Sequence, residues 1–218
     1  RRTASLPPAS VQTTDIVAFM LPLAAMNAIT IGHMRASSFM LKMLASPEAV
    51  ANYELAYQVG FALPLVTRAM ITVLLPRVST MKERDELLRY RRRVLRLYVI
   101  ILPLTIAGVL LAPLFISLVF GEKYAESLDI IRLLILAFGF SVLMPPLGLV
   151  FYAVKRPIYL TWVQLLQFAI TVVLNYVFIP RWGGAGAAVV MLIATLVSAS
   201  AIITLSSWVI RNREPDPA

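Results

Sequence analysis

The stretch FALPLVTRAMITVLLP, Phe61 to Pro76, places a single charged side chain, Arg68, in an otherwise apolar run. A guanidinium at the centre of a membrane span costs about 2.5–3.5 kcal/mol on insertion scales. Two readings accommodate it. Arg68 lies about 12 Å from Pro76 along a helix axis that rises about 1.5 Å per residue, so the side chain can snorkel to the headgroups. Alternatively it faces a watery lumen inside a helix bundle, where its planar fork suits a phosphate. Tyr57, Phe61, Pro64 and Thr72 stand at offsets of −11, −7, −4 and +4 from Arg68. On one continuous helix these share its face. Such an aromatic, polar and cationic stripe suits a cavity for sugars and phosphate better than it suits lipid.

Two further stripes carry polar groups. Asn27, Arg35, Ser38 and Lys42 fall on one helical face, while His33 points away from it and reads as an interfacial or packed histidine. Gln164, Gln167, Thr171 and Asn175 follow at 0, +3, +7 and +11, within about 60° of one another at about 100° per residue. They serve either as interhelical hydrogen bonds, worth roughly 0.6 kcal/mol each, or as a hydrophilic lumen wall. Arg132 is expected to snorkel outward.

Catalysis finds little to work with. The chain has one His and no Cys, and Asp15, Glu54 and Asp129 stand near span ends. No nucleophile with its base and no metal-ligand set is apparent, so neither an enzyme nor a cofactor is expected. Proton relays generally need an intramembrane carboxylate or His, and none lies deep in a span. The run WGGAGAA, Trp182 to Ala188, lacks the GK[ST] ending of a phosphate loop. Its small residues read as close helix packing.

The elements that must position these residues are membrane helices. Of 218 residues, 60% are hydrophobic and 14% charged, against about 25% charged in a soluble domain. The expected fold is an all-α polytopic membrane protein, a bundle of six transmembrane helices. The spans are residues 15–44, 53–76, 95–120, 128–154, 157–180 and 185–210, each with roughly the 20 residues that cross about 30 Å of hydrocarbon. Barrel strands would be shorter. Residues 1–14, RRTASLPPASVQTT, lack the apolar core of a signal peptide and read as a polar linker, as if the chain were a piece of something longer. Residues 211–218 are a tail.

Lys and Arg set the orientation. Arg1 and Arg2, the block from Arg77 to Arg96, Lys155 with Arg156, and Arg211 with Arg213 fall on one side, and Lys123 and Arg181 on the other. The positive-inside rule makes both termini cytoplasmic. The net charge of +9 is thereby explained by topology, and nucleic acid is not an expected partner. The run RVSTMKERDELLRYRRRVLR, Arg77 to Arg96, reads either as an interfacial helix on anionic lipid or as a solvated loop that fixes topology. Pro64, Pro103, Pro113 and the pair Pro145–Pro146 interrupt spans. Such breaks persist where neighbours satisfy the freed carbonyls.

Several segments resemble one family. FGEKYAES (Phe120 to Ser127), AVKRP (Ala153 to Pro157), LNYVFIPRWGGAGAA (Leu174 to Ala188), and ANYELAYQV (Ala51 to Val59) followed by LLPRVS (Leu74 to Ser79) resemble, in order and spacing, the carboxy-terminal half of polysaccharide and O-antigen flippases. These belong to the multidrug/oligosaccharidyl-lipid/polysaccharide exporter superfamily. Asn52 departs from the pattern, where Gly is usual. The resemblance implies one lobe of a two-lobe exporter fold, partnered by a second six-helix lobe in a bacterial inner membrane. It implies a lipid-linked oligosaccharide as substrate, with an anionic diphosphate for Arg68 and Arg35 to hold. Tyr57 and Phe61 would stack on sugar rings, and Gln164, Gln167 and Asn175 would line the lumen. Two alternatives stay open: a multidrug and toxin extrusion type exporter, and a non-transporting scaffold of a glycan-assembly complex.

Overall fold

The structure is a computed structural model that describes residues 32–33, 35–60, 62–81, 83–119, 121 and 127–212. The chain divides into two compact units, Arg1–Arg35 and Ala36–Ala218; the helices below belong to the second. The described residues are helical with no strand. Most of the first expected span, residues 15–31, lies outside them.

Residues 36–44 form α1. The expected single span over 53–76 is instead two helices, α2 (Pro47–Gly60) and α3 (Ala62–Ser79). Pro64 offers no N–H to the carbonyl of Gly60, and a Cβ at Gly60 would collide with the ring of Phe138. The basic block forms α4 (Arg84–Arg96), and a turn at Leu97 leads into α5 (Tyr98–Val119). The fourth span is also divided, into α6 (Leu128–Ser141) and α7 (Met144–Ala153), with Pro145 and Pro146 in the first turn of α7. The last two spans are drawn as one helix, α8 (Ile158–Arg211), broken at Gly183 with φ 52° and ψ −129°. Only glycine adopts that conformation without strain. Pro180, the expected end of span five, lies within the helix, and the break at Gly183 falls in the expected gap between residues 180 and 185.

Arg84–Val119, Leu128–Ala153 and Ile158–Arg211 are long and apolar enough to cross a membrane. Their packing centre is α6 with α7, where Leu134, Ala137, Leu143, Leu147, Val150 and Phe151 are fully buried. α6 packs on α2, α5 and α8, and α7 on α3, α4 and α8. Two apolar clusters result. One gathers Val78, Leu87 and Val94 with α7 and the far end of α8. The other gathers Tyr53, Ala56 and Ile116 with the start of α6 and the Gly183 break.

Between these clusters the Pro145–Pro146 break presents a hydrogen-bonding problem. The prolines supply no N–H to the carbonyls of Ser141 and Val142, and hydrocarbon supplies no water. Of the two released carbonyls, Val142 takes a hydroxyl from α3, and hydroxyls of α4 and α5 bond the adjoining Pro146 and Phe140 carbonyls, which the prolines do not release. Thr67 of α3 donates to the Val142 carbonyl at 3.2 Å, Tyr98 of α5 to Phe140 at 2.7 Å, and Tyr90 of α4 to Pro146 at 2.8 Å. Each bond also fixes the rotation of the helix that supplies it.

Tyr98→Phe leaves a buried carbonyl without its donor and should cost roughly 1–3 kcal/mol. Ser117→Ala removes a hydroxyl that bonds only within its own exposed helix turn and should change little. Thermal unfolding in detergent compares the two. Equal stability of Tyr98→Phe and wild type would refute a stabilising role for the Tyr98–Phe140 bond beside the break.

Candidate functional site

The rotation of α3 decides where Arg68 points. Thr67 is buried against α7 by its bond to Val142, and the next side chain is turned by about 100°. Arg68 is accordingly exposed. Thr72, one turn on, is exposed as well and donates its hydroxyl back to the Arg68 carbonyl at 3.0 Å. Val73, at 73% exposure, shows that this surface is otherwise apolar. Among the described residues the Arg68 guanidinium has no ion-pair partner.

Other arginines are engaged. Arg91 donates through Nε to the Ser206 hydroxyl and through Nη2 to the Ile203 carbonyl, each at 3.1 Å, and so clamps α4 to α8. Arg132 is half-exposed, with Nη1 3.5 Å from Asp129 Oδ1 one turn before it. An exposed pair of this kind adds at most about 1 kcal/mol. Arg35 is exposed and belongs to the first unit. Ser38 is buried and Lys42 exposed.

Tyr57 lies on α2, so the division of the second span breaks the single helical face proposed for Tyr57 and Arg68. Its half-buried ring stands 6.1 Å from Tyr53 and 5.5 Å from Phe138, edge-on to the latter. Part of its aromatic surface is therefore already engaged. The side chain of Phe61 lies outside the described residues.

The stripe on the first half of α8 divides along its length. Gln164 is exposed, Gln167 half-buried, and Thr171 and Asn175 buried. Asn175 is fully enclosed and donates through Nδ2 to the Ser37 hydroxyl at 3.0 Å, while Thr171 donates to the Gln167 carbonyl at 2.8 Å. Asn175 thus joins α8 to α1. Only the Gln164 end of the stripe is exposed. α3 packs on α7 and more lightly on α2 and α6; α8 is not a close neighbour. Arg68 and Gln164 therefore sit on helices that do not form a tight pair within this unit.

The sequence did not single out Ser37, Thr67, Tyr90 or Tyr98. Hydroxyls are ordinary in apolar helices, and their partners lie far away in sequence. The prolines were the only signal that acceptors would need donors.

The sequence model of the family described as polysaccharide biosynthesis protein matches residues 5–129, more than half of the chain. The chain belongs to that family. A Shigella flexneri protein named "Putative O-antigen transporter" is 26% identical over 164 residues, covering 74% of this chain and 39% of that protein. The chain thus spans about two fifths of this relative's length. No solved structure matches the chain. Arg68 falls inside the region matched by the family, and Gln164, Gln167 and Asn175 beyond it. Family membership and the apolar helices make this a multi-pass membrane protein of polysaccharide biosynthesis.

The burial gradient along α8 has a direct readout in this Cys-free chain. Gln164→Cys should react with a small hydrophilic thiol reagent, and Asn175→Cys should stay protected. Leu166→Cys, exposed on an apolar surface, should also resist. Rapid labelling at position 175 would show that Asn175 faces water and is not held against Ser37.

Proposed function

We propose that the chain is one lobe of a flippase that carries an undecaprenyl-diphosphate-linked oligosaccharide across the bacterial inner membrane. Its membership of a polysaccharide biosynthesis family carries this reading. The relative named as an O-antigen transporter, of which the chain covers the smaller part, supports it. In this reading residues 15–210 form a six-helix lobe with both termini cytoplasmic. A second six-helix lobe completes the transporter, and access alternates as one lobe rocks against the other. The break at Gly183 supports separate fifth and sixth crossings within α8.

Arg68 supplies the charge for the diphosphate. A low-dielectric cavity penalises an anion unless a charged donor pairs with it. Arg68 is exposed on a helix whose inward face is already occupied by Thr67, which leaves the guanidinium available. Gln164 and Gln167 add neutral polar contacts for sugar hydroxyls, and the half-buried ring of Tyr57 adds aromatic surface. No residue acts as a catalyst.

The test is translocation of a labelled lipid-linked oligosaccharide by proteoliposomes containing the full product of the reading frame. Arg68→Ala should lose most of the transport, about tenfold or more, as expected for removing a charged hydrogen-bond donor. Arg68→Lys should keep part of it, and Arg68→Glu should be worst. Wild-type transport by Arg68→Ala, normalised to protein in the membrane, would show that Arg68 only snorkels. A cationic drug carried in place of the oligosaccharide would indicate a multidrug exporter, and no translocation of either would indicate a scaffold.

Topology is tested separately. Ser79 and Arg181 are both exposed and should lie on opposite sides of the membrane. An impermeant thiol reagent added to intact cells should label Arg181→Cys and spare Ser79→Cys. Labelling of position 79 from outside would reject the six-span arrangement.

A further inference from the structure

A cavity of about 390 Å³ lies between the last turns of α3 and the outer side of α4. Its floor is apolar, with Leu74, Val78, Met81 and Val94. Its rim carries Arg77, Arg89 and Arg93 against a single acid, Glu86. Arg89 and Arg93 are one helical turn apart and therefore side by side, while Arg77 reaches in from the end of α3. The cationic rim is not a floating loop. α4 is tied to the bundle by Tyr90 on the Pro146 carbonyl and by Arg91 on Ser206 and Ile203.

The position of the cavity is as informative as its lining. α4 passes through Leu97 directly into α5, whose Val99 and Ile100 are 74% and 67% exposed. Arg84–Val119 is one of the stretches apolar enough to cross a membrane. Leu97, the residue before α5, lines the cavity, so the arginines stand next to the start of that apolar helix. An apolar floor beneath a cationic rim matches a molecule with hydrocarbon at one end and an anionic phosphate at the other. A free phosphate would leave the floor uncovered. A neutral lipid would leave the arginines without a partner.

We infer that this cavity binds an anionic phospholipid of the surrounding membrane, with its phosphate on Arg77, Arg89 and Arg93 and its first methylenes on Leu74, Val78 and Met81. The inference depends on α5 crossing the membrane and not on transport. A binding readout therefore fails or succeeds independently of the flippase reading.

Native mass spectrometry of the full chain in detergent, with equimolar phosphatidylglycerol and phosphatidylcholine of matched chains, provides the test. Phosphatidylglycerol should be retained about fivefold or more over phosphatidylcholine, in line with a few juxtamembrane charges acting together. The combined variant Arg77→Gln/Arg89→Gln/Arg93→Gln should lose that preference. The variant Arg84→Gln/Arg92→Gln/Arg96→Gln removes equal charge from exposed positions outside the cavity and should keep it. If the first variant fails to insert, Arg89→Gln and Arg93→Gln singly, both at exposed positions, should each weaken the preference. Equal loss in both triple variants would overturn the site in favour of diffuse surface charge. Displacement by glycerol 3-phosphate would overturn it in favour of a free-phosphate site. Displacement by a trace of polyprenyl phosphate would overturn it in favour of the transported lipid.

Discussion

The structure depends on one requirement, that backbone carbonyls released inside hydrocarbon must find donors. The Pro145–Pro146 pair releases those of Ser141 and Val142 at the junction of α6 and α7. Thr67 of α3 supplies Val142, and Tyr90 of α4 and Tyr98 of α5 bond the adjoining Pro146 and Phe140 carbonyls. These bonds locate three helices around a fourth and set their rotation. Apolar contact alone would not, because one leucine-rich surface resembles another and lipid tails compete equally well for it. The exposure of Arg68 follows from this requirement through the Thr67 bond. The docking of α4, and with it the cavity beneath Arg89 and Arg93, follows through Tyr90.

The helical membrane class was legible from the low charge and the length of the apolar runs. The turn near WGGAGAA was also legible, since Gly183 takes a conformation open to few other residues and a Cβ at Gly184 would press on the Ala49 carbonyl. Hydropathy averages over a window and does not see a break inside an apolar run. Thus residues 53–76 and 128–154 are each divided between helices, although Leu128–Ala153 keeps the length and hydropathy of one crossing. The orientation of polar side chains was least legible. Asn175 and Gln164 share a helical face, yet one is enclosed against Ser37 and the other is exposed. Periodicity gives a direction around a helix axis. It does not say whether protein, lipid or water lies in that direction, since that depends on helices distant in sequence.

The arginines make the same point through electrostatics. Arg91 sits among helices and is matched by a hydroxyl and a carbonyl, so its charge is absorbed by the fold. Arg77, Arg89 and Arg93 rim a cavity next to the apolar surface of α5, where headgroups can solvate them. Arg68 belongs to neither class. It projects from an apolar surface, and the threonine beside it donates to its carbonyl and makes no bond to its guanidinium. An insertion cost of about 2.5–3.5 kcal/mol is tolerable only if something outside this unit lowers it: headgroups reached by snorkelling, or an anion in a cavity shared with another lobe. These differ in what they require of the side chain. Snorkelling needs a long flexible stem and a charge, which lysine provides equally well. Paired recognition of a phosphate needs two parallel donors on a rigid plane, which only arginine provides. The choice of arginine on that surface fits the second requirement better than the first.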